Sequence, residues 1–138
     1  MADYPAVLYV EDDEMSRIVM QIILVDQMNL SQVVIFEDST NFVARIEQLP
    51  FTPDIIFLDI HMEPIDGFQM LQLLRNHARF SPVTVVALTA SVMNEEIDRL
   101  RDVGFDGVIP KPIDLENFPY LLDKLLNGES VWRIINNH

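Results

Sequence analysis

The sequence has no cysteine among its 138 residues, so it offers no disulfide, no thiolate ligand for a metal and no cysteine nucleophile. Basic residues are also few, because 9 Lys and Arg stand against 22 Asp and Glu and leave a formal net charge of -13. Affinity for nucleic acid depends largely on Lys and Arg side chains that displace counterions from the phosphates. We therefore expect no direct binding of nucleic acid.

Long apolar runs are missing as well. The longest one, residues 6–10, has five residues, whereas a helix that crosses a bilayer needs about 20. The first residues of the chain carry neither the basic nor the apolar segment of a secretory signal. We therefore expect a protein without a membrane span and with a cytoplasmic location.

What the sequence does contain is enough apolar side chains, 49% of the residues, for one substantial core. Short apolar runs start about 22 to 28 residues apart, a spacing typical of alternating strands and helices. The predicted strands are residues 6–10, 33–36, 55–58, 83–88 and 107–109. The segments after them repeat apolar residues with helical spacing, and the predicted helices are 15–23, 42–49, 68–74, 93–100 and 118–126.

Because continuous apolar strands alternate with helices, the sequence predicts a doubly wound α/β fold with a five-stranded parallel sheet covered on both faces. The predicted domain covers residues 1–127, and residues 128–138 form a C-terminal tail. Gly104 is predicted to end the fourth helix. A fifth helix capped by Asp114 would hold Pro119 too deep inside, so Asn117 is the predicted N-cap and the helix is expected to begin near Phe118.

Polar side chains follow four of the predicted strands. Glu11 and Asp12 follow the first strand, Asp59 the third, Thr89 the fourth and Lys111 the fifth. Ligands of open α/β sheets bind beyond the carboxyl ends of the strands, so these side chains are expected at one edge. Carboxylates brought together repel one another unless a cation bridges them. Oxygen ligands without a His or Cys cluster favour Mg²⁺, which usually takes one or two carboxylates together with phosphate oxygens.

The residue types at this edge suit phosphoryl chemistry. The carboxylate of Asp59, at the end of the central strand, could act as a nucleophile toward phosphorus. Lys111 would supply positive charge to the transferred oxygens, and the hydroxyl of Thr89 could donate to another of them. The pair Asp66-Gly67 predicts a turn that caps the third helix.

These residues occur in an order and at a spacing that resemble the response regulator receiver domain, the phosphorylated partner of sensor histidine kinases, over residues 5–127. The motifs that carry the resemblance are Val10-Glu11-Asp12 with Arg17 downstream, Asp59-x-x-Met62 with Asp66-Gly67, Ala87-Leu88-Thr89-Ala90, and Lys111-Pro112. The resemblance implies a flavodoxin-like sheet of strand order 2-1-3-4-5 and a cis Lys111-Pro112 bond.

The resemblance also implies roles for the site residues. Asp59 would be the phosphoacceptor, Thr89 the switch hydroxyl and Lys111 the phosphate-binding cation. The implied Mg²⁺ ligands are Glu11, Asp12, Asp59 and the backbone carbonyl of His61. The implied partners are a sensor histidine kinase or phosphotransfer protein as donor, and a downstream target protein bound in trans by a single-domain regulator.

Two positions depart from the family pattern. Proline usually follows the methionine of the acceptor loop directly, whereas here Glu63 comes first and Pro64 second, which puts the backbone path of the loop in doubt. Three residues before the lysine, where the family often has Tyr or Phe, this chain has Val108. We therefore expect the response to phosphorylation to depend on Thr89 and the loop after the fourth strand.

Other interpretations stay open. Taken singly, Asp59, Thr89 and Lys111 each suit an ordinary structural role, and the hypothesis depends on their combination. A phosphatase with an aspartate nucleophile commonly has a general-acid Asp two residues later, where this chain has His61, so no enzyme of multiple turnover is expected. A binding module that never carries phosphate is a second alternative. The apolar residues 131–135 could fold onto the domain or form a homodimer or partner contact.

Overall fold

The computed structural model describes residues 3–129 and residue 132, and over them five strands alternate with five helices. The strands are β1 (Val7–Val10), β2 (Val33–Phe36), β3 (Ile55–Asp59), β4 (Thr84–Thr89) and β5 (Gly107–Pro110). The helices are α1 (Glu14–Gln21), α2 (Phe42–Glu47), α3 (Gly67–Arg75), α4 (Asn94–Val103) and α5 (Phe118–Leu126). A π-helical segment, Ile22–Gln27, continues α1.

The strands form one parallel sheet in the order β2-β1-β3-β4-β5, which confirms the predicted fold class and strand order. Val10, the last residue of β1, lies beside Leu58 of β3, and Asp59 lies beside Leu88 of β4. This register brings the carboxyl ends of β1, β3 and β4 to the same edge. The residues that follow these strands therefore meet there.

The core lies on both faces of the sheet. Leu8 and Val10 pack on the side of α2, α3 and α4, whereas Val7 and Tyr9 pack on the side of α1 and α5. This alternation follows from the two-residue repeat of a strand, in which successive side chains point to opposite faces. β3 is buried at all its positions because it lies inside the sheet and is covered on both sides.

The apolar repeat of the first helix, which runs through Met15, Ile18 and Ile23, is only partly buried. Met15 and Ile18 are 66% and 46% exposed, whereas Ile23 is buried together with Met20 and Leu24, which lie outside that repeat. Residues 15–25 carry apolar side chains on more than one face, so the helical repeat fits two stripes equally well.

The methionines are divided between the core and the surface. Met15 and Met93 are largely exposed, whereas Met20, Met62 and Met70 are buried. Met93 precedes α4 as its N-terminal flanking residue and does not belong to its buried stripe.

The predicted ends of α4 and α5 are confirmed. Gly104 ends α4 with φ of 115°, a left-handed conformation that favours glycine. α5 begins at Phe118, with Pro119 in its first turn, but the side chain of Asn117 makes no capping hydrogen bond. The backbone N–H of Phe118 instead donates to the carbonyl of Asp114 at 2.9 Å.

Part of the predicted tail is described. Trp132 is half-buried and packs against the cluster that contains α3 and α4, with the Arg101 guanidinium carbon 5.9 Å from its ring centre. Residues 130, 131 and 133–138, which include most of the apolar segment 131–135, lie outside the described residues. Among the described residues, no helix has the length and apolar character that a membrane crossing requires.

Candidate functional site

Three carboxylates meet at the carboxyl edge of the sheet. Glu11, Asp12 and Asp59 each offer an oxygen, and these oxygens lie within 4.8 Å of one another. Glu11 and Asp59 are buried, whereas Asp12 is exposed. The register of β1 against β3 accounts for the cluster, because Val10 and Leu58 are paired and an acidic residue follows each of them.

Lys111 places its ammonium group among these carboxylates. Its Nζ lies 3.0 Å from Glu11 Oε1 and 3.7 Å from Asp59 Oδ1. The backbone N–H of Lys111 donates to the Thr89 carbonyl at 2.9 Å, which ties the loop after β5 to the end of β4. The Lys111-Pro112 peptide bond is cis, as the resemblance implies. The structure therefore brings Glu11, Asp59 and Lys111 together from three separate strands.

Burial and mutual repulsion control the charges in this cluster. Burial raises the pKa of Asp59 to about 7, and the hydrogen bond and negative charge of Glu11 add to the shift, while Lys111 opposes it. Burial also acts to raise the pKa of Glu11, but hydrogen bonds with Asp59, Tyr9 and Lys111 lower it overall. For Lys111, burial acts to lower the pKa, and the hydrogen bond and charge of Glu11 outweigh it and raise the pKa. The site therefore holds close carboxylates whose charges are only partly compensated.

Thr89 lies beside this cluster at the end of β4. Its side chain is buried, and its residue is paired with Pro110 of β5, one position before Lys111. The hydroxyl oxygen accepts a hydrogen bond from the backbone N–H of Ser91 at 3.1 Å. Since Asp59 is paired with Leu88, Thr89 is one residue beyond Asp59 in the sheet register.

The loop from β3 to α3 starts at the acidic cluster. The backbone N–H of His61 donates to Asp59 Oδ1 at 3.4 Å, so His61 lies directly beside the carboxylate, while ligation by its carbonyl stays a prediction. An open depression of about 440 Å³, lined by Asp12, His61, Met62 and Glu63, adjoins the cluster.

Ser39 anchors the part of this loop that departs from the family pattern. The Ser39 hydroxyl donates to the Ile65 carbonyl at 2.7 Å and accepts from the Ile65 N–H at 3.0 Å. The Glu63-Pro64 bond before it is cis. Ser39 lies in the loop after β2 and is itself buried, so the loop from β3 to α3 is anchored to the loop after β2.

The predicted cap of α3 is confirmed. The Asp66 carboxylate accepts from the Gln69 N–H, and the Gln69 side chain accepts from the Asp66 N–H, each at 2.9 Å. Gly67 follows, and a Cβ at this position would lie 2.9 Å from Ile60 Cα and 3.0 Å from the Asp59 carbonyl oxygen. Only glycine fits there without a shift of the backbone that carries Asp59.

Two residues near the cluster were missed as contributors to its geometry. The Tyr9 hydroxyl donates to Glu11 Oε1 at 2.6 Å, and the Arg17 guanidinium donates to the Glu11 carbonyl at 3.0 Å. Tyr9 was interpreted only as part of a buried strand. The available signal was its hydroxyl, because a buried phenol normally finds a hydrogen-bond partner. Arg17 belongs to the motifs of the resemblance, but its contact with Glu11 has no signal in the sequence.

The chemistry of these groups fits a hard divalent cation. The donor atoms are carboxylate oxygens from Glu11, Asp12 and Asp59, the ligand type that Mg²⁺ takes. Burial is the main cause of the raised pKa of Asp59 and the charge of Glu11 adds to it, so a cation at the site would reduce the cost of the Asp59 charge. The residues present therefore suit Mg²⁺, and the ligand set itself stays a prediction.

Comparisons with known proteins agree with this fold. The chain is 27% identical to stress response regulator protein 1 of Meyerozyma guilliermondii over 113 residues, 82% of this chain and 50% of that protein. It is 29% identical to response regulator protein VraR of Staphylococcus aureus over 126 residues, 91% of this chain and 58% of that protein. The chain thus spans about half the length of these curated relatives.

A solved structure of chemotaxis response regulator CheY4 of Vibrio cholerae has the same fold, with a TM-score of 0.73 and 22% identity over 91% of this chain and 98% of that one. The family model described as response regulator receiver domain matches residues 7–123 of the sequence. Since that match covers most of the chain, the protein belongs to the response regulator receiver domain family.

Proposed function

We propose that this receiver domain accepts one phosphoryl group on Asp59 in a Mg²⁺-dependent reaction. Receiver domains are signalling modules of two-component systems, and they interact with histidine kinases or phosphotransfer proteins. The proposed donor is a phosphohistidine on such a protein. The observation that carries the proposal is the position of the buried Asp59 carboxylate, which lies among the oxygens of Glu11 and Asp12 and 3.7 Å from Lys111 Nζ.

In the proposed transfer, an oxygen of the ionised Asp59 carboxylate bonds to phosphorus while the bond between phosphorus and the donor imidazole nitrogen breaks. That nitrogen keeps the electron pair and takes up a proton. Such a transfer needs little covalent chemistry from the protein, because positioning and charge stabilisation supply most of the rate. The position of Asp59 at the end of a buried central strand fixes the attacking oxygen.

Each neighbour of Asp59 has a role in this proposal. Glu11, Asp12 and Asp59, with the His61 carbonyl, would hold Mg²⁺. When bound, the cation supplies positive charge that offsets the charges of the carboxylates and of the phosphoryl oxygens. Lys111 would bind a phosphoryl oxygen, for which its ammonium is already placed at the site. The Thr89 hydroxyl oxygen accepts from Ser91, and its hydrogen would donate to another phosphoryl oxygen.

The proposed output is a change in binding to another protein. An aspartyl phosphate adds negative charge and strong acceptor oxygens, which would draw Thr89 and Lys111 toward it. These residues end β4 and follow β5, so their movement would change the surface of α4, β5 and α5. The stand-alone arrangement, with a target bound in trans, stays a prediction.

The proposal is tested with a small phosphodonor. The protein is incubated with acetyl phosphate and Mg²⁺, and its intact mass is followed by mass spectrometry. We expect one phosphoryl group per chain, blocked by a chelator and absent in Asp59→Asn. Asp106→Asn is the matched control, because Asp106 lies in the loop before β5 and pairs with Arg75, away from the acidic cluster.

The other outcomes identify the alternative functions. A wild type that gains no mass under any Mg²⁺ concentration would be a binding module that carries no phosphate. Rapid release of phosphate over many turnovers would identify a phosphatase with an aspartate nucleophile. Mass gain that persists in Asp59→Asn would place the acceptor at another residue and contradict the proposal.

A further inference from the structure

We infer that Tyr9 is a positioning residue for the cation site: its buried hydroxyl fixes the Glu11 carboxylate in the direction that cation binding requires. The inference rests on the proposed function, because it concerns the Mg²⁺ site of that function. It adds a residue of the β1 core to the site. Neither the motifs nor the acidic cluster includes this residue.

The position of Tyr9 follows from strand geometry. Tyr9 and Glu11 are two residues apart at the end of β1, and residues with this spacing point to the same face of a sheet. The phenol of Tyr9 therefore lies on the same face of the sheet as the Glu11 carboxylate and can contact it. The distance from the Tyr9 hydroxyl to Glu11 Oε1 is 2.6 Å, a length typical of a hydrogen bond from O–H to an ionised carboxylate.

The groups that donate to the Glu11 carboxylate differ in burial and in their other roles. Lys111 Nζ lies 3.0 Å from Oε1 and donates to Oε2 at 3.2 Å, and the Asp13 N–H also donates to Oε2 at 3.2 Å. Lys111 is also the group that would turn to the phosphoryl oxygens, and Asp13 is an exposed loop residue. Tyr9 is different, because its ring is fully buried in the core beside β3 and α5.

Tyr9 is therefore the donor that stays in place while Lys111 changes partners. Glu11 itself has no exposed surface, so water has little access to replace a lost donor. A carboxylate without its fixed donor would rotate more freely, and it would have to be ordered again each time a cation binds. Groups that orient metal ligands in this way commonly contribute 10- to 100-fold to metal affinity.

The test uses Tyr9→Phe, which removes only the hydroxyl and keeps the ring in the core. Mg²⁺ binding is measured by isothermal titration calorimetry with MgCl₂ on the full chain, without a phosphodonor. We expect the dissociation constant for Mg²⁺ to rise about tenfold. In the acetyl phosphate reaction, the change should fall on the KM for Mg²⁺ and not on the maximal rate, since saturating Mg²⁺ restores the ordered ligand.

Tyr120→Phe is the matched control, because Tyr120 is an exposed tyrosine on α5 whose hydroxyl lies 3.4 Å from Lys124 Nζ, away from the cluster. It should bind Mg²⁺ like the wild type. Tyr9→Phe with unchanged or tighter Mg²⁺ binding overturns the inference, even if its melting temperature falls, because the hydroxyl would then serve only the core. A wild type that binds no Mg²⁺ overturns both this inference and the proposed function. A wild type that binds Mg²⁺ but takes no phosphate overturns the proposed function alone.

Discussion

The ammonium of Lys111 lies closer to Glu11 than to Asp59, at 3.0 Å from Glu11 Oε1 against 3.7 Å from Asp59 Oδ1. It therefore occupies the position of an internal counter-ion to the acidic cluster. A divalent cation and Lys111 would neutralise the same carboxylates, so each reduces the attraction for the other. A phosphoryl group on Asp59 would instead attract both of them.

The first prediction uses Lys111→Met to separate two effects of Lys111, its competition with the cation and its attraction for the phosphoryl group. Removal of the ammonium should tighten Mg²⁺ binding about three- to tenfold, because one positive charge within 4 Å of the carboxylates is lost and solvent screens part of its effect. The rate of labelling by acetyl phosphate at saturating Mg²⁺ should fall about 100-fold, since the phosphoryl oxygens lose a positioned charge. Calorimetry with MgCl₂ and a time course of intact mass measure the two effects.

Lys124→Met is the control for the loss of a positive charge. Lys124 lies on α5 and contacts Glu129 and Tyr120, away from the acidic cluster. Both quantities should stay at their wild-type values in this variant. If Lys111→Met weakens Mg²⁺ binding, the interpretation of Lys111 as a competing counter-ion is wrong.

The second prediction concerns the dependence of stability on pH in the presence of a chelator. The pKa of Asp59 is about 7 in the folded protein against a usual value of 3.8, so the fold favours the protonated carboxyl. Stability from this group is present at low pH and is lost as the pH rises toward 7. Asp59→Asn cannot ionise, so its stability relative to wild type should increase by about 1–2 kcal/mol between pH 5 and pH 8, roughly half of the value for two full pH units because solvent screens part of the effect. Urea unfolding at the two pH values measures the difference.

The matched control for this experiment is Asp123→Asn, an exposed carboxylate on α5. Its difference from wild type should be the same at both pH values. Addition of Mg²⁺ at pH 8 should reduce the advantage of Asp59→Asn, because the cation offsets the charge in the wild type. An advantage of Asp59→Asn that is equal at pH 5 and pH 8 would show that burial does not raise the pKa of Asp59.

The strands, and the polar residues that follow them at the site, could be predicted because a buried strand is a run of apolar residues that ends at the first polar one. β3 is covered on both faces, so residues 55–58 are all apolar, and Asp59 is the first polar residue after them. The same pattern locates Thr89 after β4. The strand order followed from the resemblance, because apolar runs do not record which strand lies beside which.

The errors occur where two arrangements fit one sequence pattern or where contacts are distant in the chain. Residues 15–25 are apolar around much of the helix, so the repeat did not identify Met20 and Leu24 as the buried face. Ser39 and Ile65 are 26 residues apart, and no local signal pairs them. Tyr9 fits a buried strand so well that its hydroxyl bond to Glu11 could not be inferred from strand propensity.

The third prediction tests how tightly the loop from β3 to α3 is packed. In Gly67→Ala the new Cβ would lie 2.9 Å from Ile60 Cα and 3.0 Å from the Asp59 carbonyl oxygen, and both are backbone atoms. The backbone of the loop must therefore shift. We expect the free energy of unfolding to fall by about 1–3 kcal/mol, as in other overpacked sites. Labelling by acetyl phosphate should slow as well, because the shift moves Asp59.

Asp66→Ala is the comparison for this variant, since it disturbs the same helix end without adding bulk. Loss of the cap should cost about 1 kcal/mol of stability, while the labelling rate at saturating Mg²⁺ changes much less than in Gly67→Ala. Urea unfolding and intact mass again provide the two measurements. Gly67→Ala with wild-type stability and labelling would mean that the close approach to Ile60 relaxes without consequence.

The last prediction concerns Val108, where the family often has an aromatic residue. Val108 is almost fully buried in β5 among the side chains that pack under α4, so a larger ring has no space there. Val108→Tyr should lower the free energy of unfolding by about 1–3 kcal/mol through overpacking. The response to phosphorylation should not increase, because we expect it to depend on Thr89.

Amide chemical shifts of α4 and β5, recorded with and without beryllofluoride as a phosphoryl mimic, measure that response. They should change in the wild type and in Val108→Tyr, and the change should be lost in Thr89→Ala. A much larger response in Val108→Tyr than in wild type would contradict this account, since an aromatic side chain at this position would then control the switch.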